Sequence, residues 1–186
     1  MSQAAWIFGY GSLIWRPDIE YERSVEAVLP GYSRRFWQGS HDHRGTPDRP
    51  GRVVTLIEEA HARCTGIAYL VSAEVLHQTF ENLDYREKNG YQRVDIQIEA
   101  DGGSTLAAHT YIALAGNFAY LGPAPSTEIA KQIYASHGPS GANQEYLLAL
   151  ADALRAIDAH DEHVFELESL VLQLQSQADE PRSNLN

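Results

Sequence analysis

Tyr91-Gln92-Arg93-Val94-Asp95-Ile96-Gln97-Ile98-Glu99 and Leu106-Ala107-Ala108-His109-Thr110-Tyr111-Ile112-Ala113-Leu114, separated by the turn at Asp101-Gly102-Gly103, decide the fold class. Val94, Ile96 and Ile98 recur at every second position, which puts them on one face of a pleated strand. With a glycine-rich turn between them, the two runs read as a β-hairpin. Toward the N-terminus the pattern repeats. Arg52–Glu58 and Cys64–Val71 read as strands, and Ser24–Leu29 and Tyr32–Gln38 as two more joined by a Pro30-Gly31 turn. Trp6–Tyr10 reads as a short strand running into glycines. Ser72 is placed to cap a helix over Ala73–Leu83, with Glu74 in its first turn, and Asp84–Gly90 follows as a turn segment.

Toward the C-terminus the period becomes helical. Ser126–Ser136 is one helix, stopped by His137-Gly138-Pro139. Asn143 is placed to cap a second helix carrying Leu147, Leu150, Leu154 and Ile157. Val164, Leu167, Leu170, Val171 and Leu174 form a third apolar stripe. Strands come first, joined by turns, and helices last. That order predicts an α+β protein with a mixed or antiparallel sheet, able to close into a small barrel, flanked by helices. The 186 residues suit one domain, expected over 1–175, with a polar, flexible tail over 176–186.

Composition narrows the function. A net charge of −11 opposes binding to nucleic acid or anionic lipid. No run reaches the ~20 apolar residues of a membrane span. Met1–Ala5 carries no basic residue ahead of Trp6-Ile7-Phe8, unlike a secretory signal. The single cysteine, Cys64, excludes an internal disulfide and a cysteine zinc site and fits a reducing, cytoplasmic setting. Against the acidic background, Arg34, Arg35, Arg44, Arg49 and Arg52 cluster within twenty positions. They suit a small anionic ligand, or equally ion pairs with acids elsewhere in the fold.

Read alone, the candidate sites are ambiguous. Gly9-Tyr10-Gly11-Ser12-Leu13-Ile14 starts like a dinucleotide fingerprint, but Ile14 replaces the third glycine and Pro17 blocks the following helix. What remains is either a tight turn or a nest of backbone N–H groups for an anion. Glu87, between Arg86 and Lys88, is either part of a solvated charge run or a carboxylate base. His41-Asp42-His43 has the spacing of a strand metal pair but no third ligand nearby, so neither a metal nor a cofactor is expected. Cys64 reads as buried and inert. No Gly-x-Ser-x-Gly elbow is present. These residues describe a small enzyme or binding protein with an anion-friendly loop.

Several stretches carry a resemblance. They are Phe8–Trp15, Gly31–Ser40, Asp42-His43-Arg44-Gly45, Pro50–Leu56, Asp84–Lys88, Tyr120–Pro125 and Gly138–Leu147, in that order over nearly the whole chain. In them the chain resembles the ChaC family of glutathione-specific γ-glutamylcyclotransferases. His41 stands where a small residue such as threonine is expected and Asn89 where glycine is expected; neither falls on a catalytic position. The resemblance implies a small barrel flanked by helices and a carbon–nitrogen lyase acting on glutathione. It implies that Gly9, Tyr10, Gly11, Ser12, Leu13 and Ile14 embrace the γ-glutamyl group, that Glu87 is the general acid/base, and that Tyr146 helps hold substrate. Among the arginines, Arg44 is assigned to substrate binding. The alternatives are a cyclotransferase of broader γ-glutamyl specificity and a non-catalytic regulatory protein retaining the fold.

The implied chemistry explains the missing hydrolase motifs. The α-amino group of the γ-glutamyl residue attacks its own γ-carbonyl, so nucleophile and electrophile share one molecule. Orientation alone can then supply up to ~7–11 kcal/mol. A carboxylate near pKa ~4.3 is a poor base toward an amine near ~7.7–8, and burial is expected to narrow that gap. Arg86 and Lys88 would widen it, so both are expected to point elsewhere. Loop N–H groups facing the oxyanion would contribute ~3–4 kcal/mol per donor.

Overall fold

The computed structural model describes residues 3–179. Five strands, β1 (Ala5–Gly9), β2 (Arg23–Ser40), β3 (Gly51–Val71), β4 (Tyr91–Ala100) and β5 (Ser104–Ala113), form a closed barrel in the order β1-β3-β2-β4-β5. Every pairing is antiparallel except the closing one, where Trp6 and Ile7 of β1 lie parallel to Ala108 and His109 of β5. The sheet is therefore mixed, and closure removes its edges. The 91–113 hairpin forms as expected, with Ile96 opposite Ala108 and Ile98 opposite Leu106.

One expected turn is absorbed into a long strand, and two expected strands merge into β3. Pro30-Gly31 does not end a strand; β2 continues through it, Gly31 taking φ 78°. The register against β3 breaks there, with Pro30 opposite Arg63 and Tyr32 opposite Glu58, so Glu59–Ala62 bulge outward. Turn chemistry and bulge chemistry use the same residues: proline gives up a ladder N–H and glycine accepts φ > 0. The outer halves of β2 and β3 thus form one bent ribbon ending in the loop 41–50.

Among the described residues, four α-helices flank the barrel: α1 (Leu76–Arg86), α2 (Ser126–Ala135), α3 (Asn143–Ala156) and α4 (Glu162–Asp179). Helix α1 starts later than Ser72 suggested, with Val75 as its N-cap and no side-chain cap bond, the Ser72 carbonyl taking the Leu76 amide at 3.0 Å. It also runs on through Asp84–Arg86, and Glu87 is its C-cap, its amide bonded to Leu83 O at 2.8 Å. Asn143 does not cap α3. Its side chain pairs with the Arg52 backbone of β3, accepting from the N–H at 2.7 Å and donating to the O at 2.8 Å. Residues 176–179, expected in the tail, belong to α4, and 180–186 lie outside the described residues.

Two cores result. In the larger, Leu147, Leu150 and Leu154 of α3 meet Val164, Leu167 and Val171 of α4 and Phe8, Phe36 and Ile98 of the barrel. The smaller joins Ile7, Leu13, Val71, Leu83 and Tyr111. It matters most for function, because Leu13 comes from the loop after β1 and Leu83 from the last turns of α1. Burying them together brings the glycine loop against the end of the helix that carries Glu87.

His163, at the start of α4, accepts the Phe36 amide on Nε2 at 3.1 Å, a bond that requires an unprotonated nitrogen. Burial, with Arg35 nearby, lowers its pKa from 6.5 to about 4. Between those values the unfolded chain binds a proton that the folded chain refuses, so stability falls as pH drops from about 6.5 to about 4. Urea unfolding at pH 7 and pH 4.5 should therefore show a wild-type loss exceeding that of His163→Gln by about 2–3 kcal/mol. Equal losses would contradict this reading of the bond.

Candidate active site

A cleft of about 430 Å³ opens between the loop after β1, the 41–50 loop, the end of α1 and the start of α3. That volume suits a small organic ligand. Ser12, Arg16, Asp18, Asp42, Arg44, Arg86, Glu87, Tyr91, Ser140 and Tyr146 are among its lining residues. A narrow recess of about 40 Å³ continues inward, lined by Tyr10, Gly11, Leu13, Thr110 and Tyr111. Ser12, Glu87, Tyr91 and Tyr146 border both spaces, so the carboxylate stands where the cleft passes into the recess.

The loop after β1 is shaped by close approach. A Cβ on Gly9 would lie 2.6 Å from Leu13 Cβ; one on Gly11 would lie 3.0 Å from Val54 Cγ2 and 3.1 Å from Tyr146 Oη. Ser12–Ile14 form a single 3-10 turn, closed by Ile14 N–H to Gly11 O at 2.9 Å and Arg16 N–H to Ser12 O at 2.8 Å. The first N–H groups of such a turn have no carbonyl within it to bond. Tyr146 is wedged edge-on between Trp15 and Phe36, at ring-centre distances of 5.4 and 6.0 Å. Tyr91 Oη donates to Val54 O at 2.6 Å, setting the recess's other wall.

Gly11→Ala is expected to reduce activity about tenfold or more while leaving the melting temperature within a few degrees of wild type. The added methyl displaces Val54 or the Tyr146 hydroxyl by a few tenths of an ångström, and reaction geometry is far more sensitive than packing to such shifts. Unchanged kcat/KM would count against the loop's assigned place.

Glu87 keeps 19% of its side-chain surface exposed. Burial raises its pKa above the ordinary carboxylate value; Arg86 pulls it down and Asp42 pushes it up. The expectation that Arg86 points away is overturned. Its Nε lies 3.5 Å from Glu87 Oε1 and its Nη2 donates to Ser12 Oγ at 2.7 Å. Lys88 does turn away, its Nζ 4.1 Å above the Tyr85 ring. Burial outweighs the arginine, so the net shift is still upward.

The other sequence candidates divide. Ser12 lines both the cleft and the recess, and Tyr10, Gly11 and Leu13 line only the recess; Gly9 and Ile14 line neither. Tyr10 turns its hydroxyl into the core, donating to Tyr111 O at 2.6 Å. Arg44 lines the cleft with its Nη1 on Ala142 O and on Glu145 Oε2, both at 3.1 Å. Most of the arginine cluster follows the structural reading. Arg34 pairs with Asp161, Arg35 with Glu59, and Arg52 holds the carbonyls of Phe36 and Gly122. Sequence reasoning missed Tyr91 and gave Asp42 no role, although both line the cleft. There Asn89 Nδ2 donates to Asp42 Oδ1 at 3.2 Å. Cys64 is buried, and burial raises its thiol pKa.

The closed five-stranded barrel flanked by helices is a fold shared with solved structures. A yeast γ-glutamyl cyclotransferase specific to glutathione superposes with a TM-score of 0.87 at 31% identity, covering 92% of this chain and 96% of that one. A model of the ChaC-like protein family matches residues 5–174, and the chain belongs to that family. Glutathione-specific γ-glutamylcyclotransferase 1 of Danio rerio is 44% identical over 173 residues, 90% of this chain and 88% of the relative. The Homo sapiens protein of the same name is 47% identical over 169 residues, 87% and 76% of the two chains. The fold is the γ-glutamylcyclotransferase fold.

Proposed function

We propose that this protein is a glutathione-specific γ-glutamylcyclotransferase, an enzyme that releases 5-oxoproline and cysteinylglycine with Glu87 as general acid/base. The observation that carries the role of Glu87 is its position at the neck between cleft and recess, with its pKa raised by burial. In this reading the γ-glutamyl group sits at the neck, against Gly11, Ser12, Tyr91 and Tyr146. The α-amine attacks the γ-carbonyl carbon and a new N–C bond closes the five-membered ring. Glu87 takes the amine's proton and returns one to the departing cysteinyl nitrogen as the old C–N bond breaks. N–H groups at the start of the Ser12–Ile14 turn are the donors proposed for the tetrahedral oxyanion. The cysteinylglycine half occupies the outer cleft, with Arg44 proposed for the glycine carboxylate.

The sign of the pH dependence follows from the direction of the Glu87 shift. The carboxylate is the active form, so kcat/KM rises with pH through the folded-state pKa, and this limb lies above the ordinary carboxylate range. Specificity gives the sharper test. Purified protein should turn over glutathione with kcat/KM at least about tenfold above that for γ-glutamylalanine, whose only peptide carboxylate stands one residue nearer the scissile bond than the glycine carboxylate proposed for Arg44. Equal rates would replace the proposal with a cyclotransferase of broad γ-glutamyl specificity; turnover of neither would leave only a binding protein.

A further inference from the structure

Arg86, the last residue of α1, makes more connections than a solvated charge run would need. Its Nη2 donates to Ser12 Oγ at 2.7 Å, and its Nη1 donates to the carbonyls of Arg16 and Pro17 at 3.3 and 3.4 Å. The same Nη1 lies 3.8 Å from Asp18 Oδ2, and Nε lies 3.5 Å from Glu87 Oε1. Every one of these partners belongs either to Glu87 or to the Ser12–Asp18 segment that walls the cleft. A planar guanidinium holds its donors in a rigid fork, which fixes several acceptors relative to one another; an ammonium cannot do this.

We infer that Arg86 is a positioning residue whose single guanidinium locks the Ser12–Asp18 wall of the cleft to the Glu87 carboxylate. The inference rests on Glu87 being the base, as proposed above. Two consequences follow from the bonding. Ser12 Oγ is engaged as an acceptor, so its hydroxyl hydrogen is left to point at a substrate acceptor in the cleft. Arg86 also offsets part of the effect of burial on Glu87. The groups acting on that carboxyl come from every side: Arg86 on α1, Asp42 on the 41–50 loop, Tyr10 after β1, Tyr91 on β4 and Tyr146 on α3. Of these, the tyrosines are neutral at working pH and Asp42 opposes ionisation, so Arg86 is the one among them that favours the charged base.

The test compares wild type, Arg86→Gln and Arg86→Lys by two readouts. One is the ¹³C titration of the Glu87 side-chain carboxyl, assigned by its disappearance in Glu87→Gln; the other is steady-state turnover of glutathione. In folded Arg86→Gln the Glu87 midpoint should move up by about one pH unit, and KM should rise about fivefold or more. Arg86→Lys should keep the midpoint near wild type, because the charge remains, while KM rises because the fork is lost. An unmoved midpoint in Arg86→Gln, or a wild-type KM in both variants, would overturn the inference. If Arg86→Gln does not fold, Arg86→Lys decides: raised KM supports the lock and wild-type KM contradicts it. If the wild type produces no 5-oxoproline, the functional proposal fails, and the carboxyl titration still reports whether Arg86 holds Glu87.

Discussion

Glu87→Gln is expected to lower kcat on glutathione by about a hundredfold or more, with KM within a factor of a few of wild type. Glutamine keeps the shape at the neck of the cleft and accepts the same neighbours, so binding survives. It cannot take a proton from an amine, and a positioned acid/base contributes ~10²–10⁴ in rate. The substitution should also raise stability slightly, since burial disfavours the ionised carboxylate that it removes. Loss of activity with unchanged or improved melting is the signature of a group kept for chemistry at some cost to the fold. More than a tenth of the wild-type rate in the variant would remove Glu87 from the mechanism.

The largest effect on stability is expected at Arg34. Its side chain is only 1% exposed, and each of its three nitrogens has a partner. Nε bonds Tyr10 O, Nη1 bonds Asp161 Oδ2 and Nη2 bonds Thr65 O, each at 2.6 Å. One buried cation therefore ties the loop after β1 to β3 and to the residue preceding α4. Arg34→Met removes the charge, leaves Asp161 without its partner at 14% exposure, and strands two carbonyls. Breaking a buried pair from one side costs about 3–5 kcal/mol, which in a domain of this size lowers the melting temperature by about 10 °C or more. Arg34→Lys should recover only a minority of that, because a single ammonium cannot reach three divergent acceptors. A melting temperature within two or three degrees of wild type for Arg34→Met would show that the buried ion pair is dispensable.

The contrast between these two residues shows what the sequence made legible. Period-2 alternation at Val94, Ile96 and Ile98 specified a strand face outright, and that strand pairs with β5 in the expected hairpin. Helical stripes at Leu147–Leu154 and Val164–Val171 likewise found each other. Local signals failed where one residue type serves two geometries. Pro30-Gly31 bends a long strand instead of ending it, and the Asn143 side chain holds β3 instead of capping α3. Charge was the hardest to read. Arg34, Arg52 and Arg44 sit close in sequence, but one is locked in the core, one braces carbonyls and one lines the cleft. Nothing in the linear pattern separates those fates, because each depends on acids or carbonyls brought in from residues far along the chain. Arg86 was misjudged for the same reason: the partners that draw it in, Ser12, Arg16 and Pro17, come from the loop after β1.

Glu87 and the glycine loop, ambiguous separately, become a site because Leu13 and Leu83 are buried together beneath them. The claim that the site cyclises its substrate is most directly tested by turnover of glutathione in H₂¹⁸O, with mass spectrometry of the products. Intramolecular attack predicts 5-oxoproline and cysteinylglycine in equal amounts, with no ¹⁸O in the 5-oxoproline formed on the enzyme. Glutamate carrying one ¹⁸O would mean that water, not the α-amine, is the nucleophile, and would contradict the account.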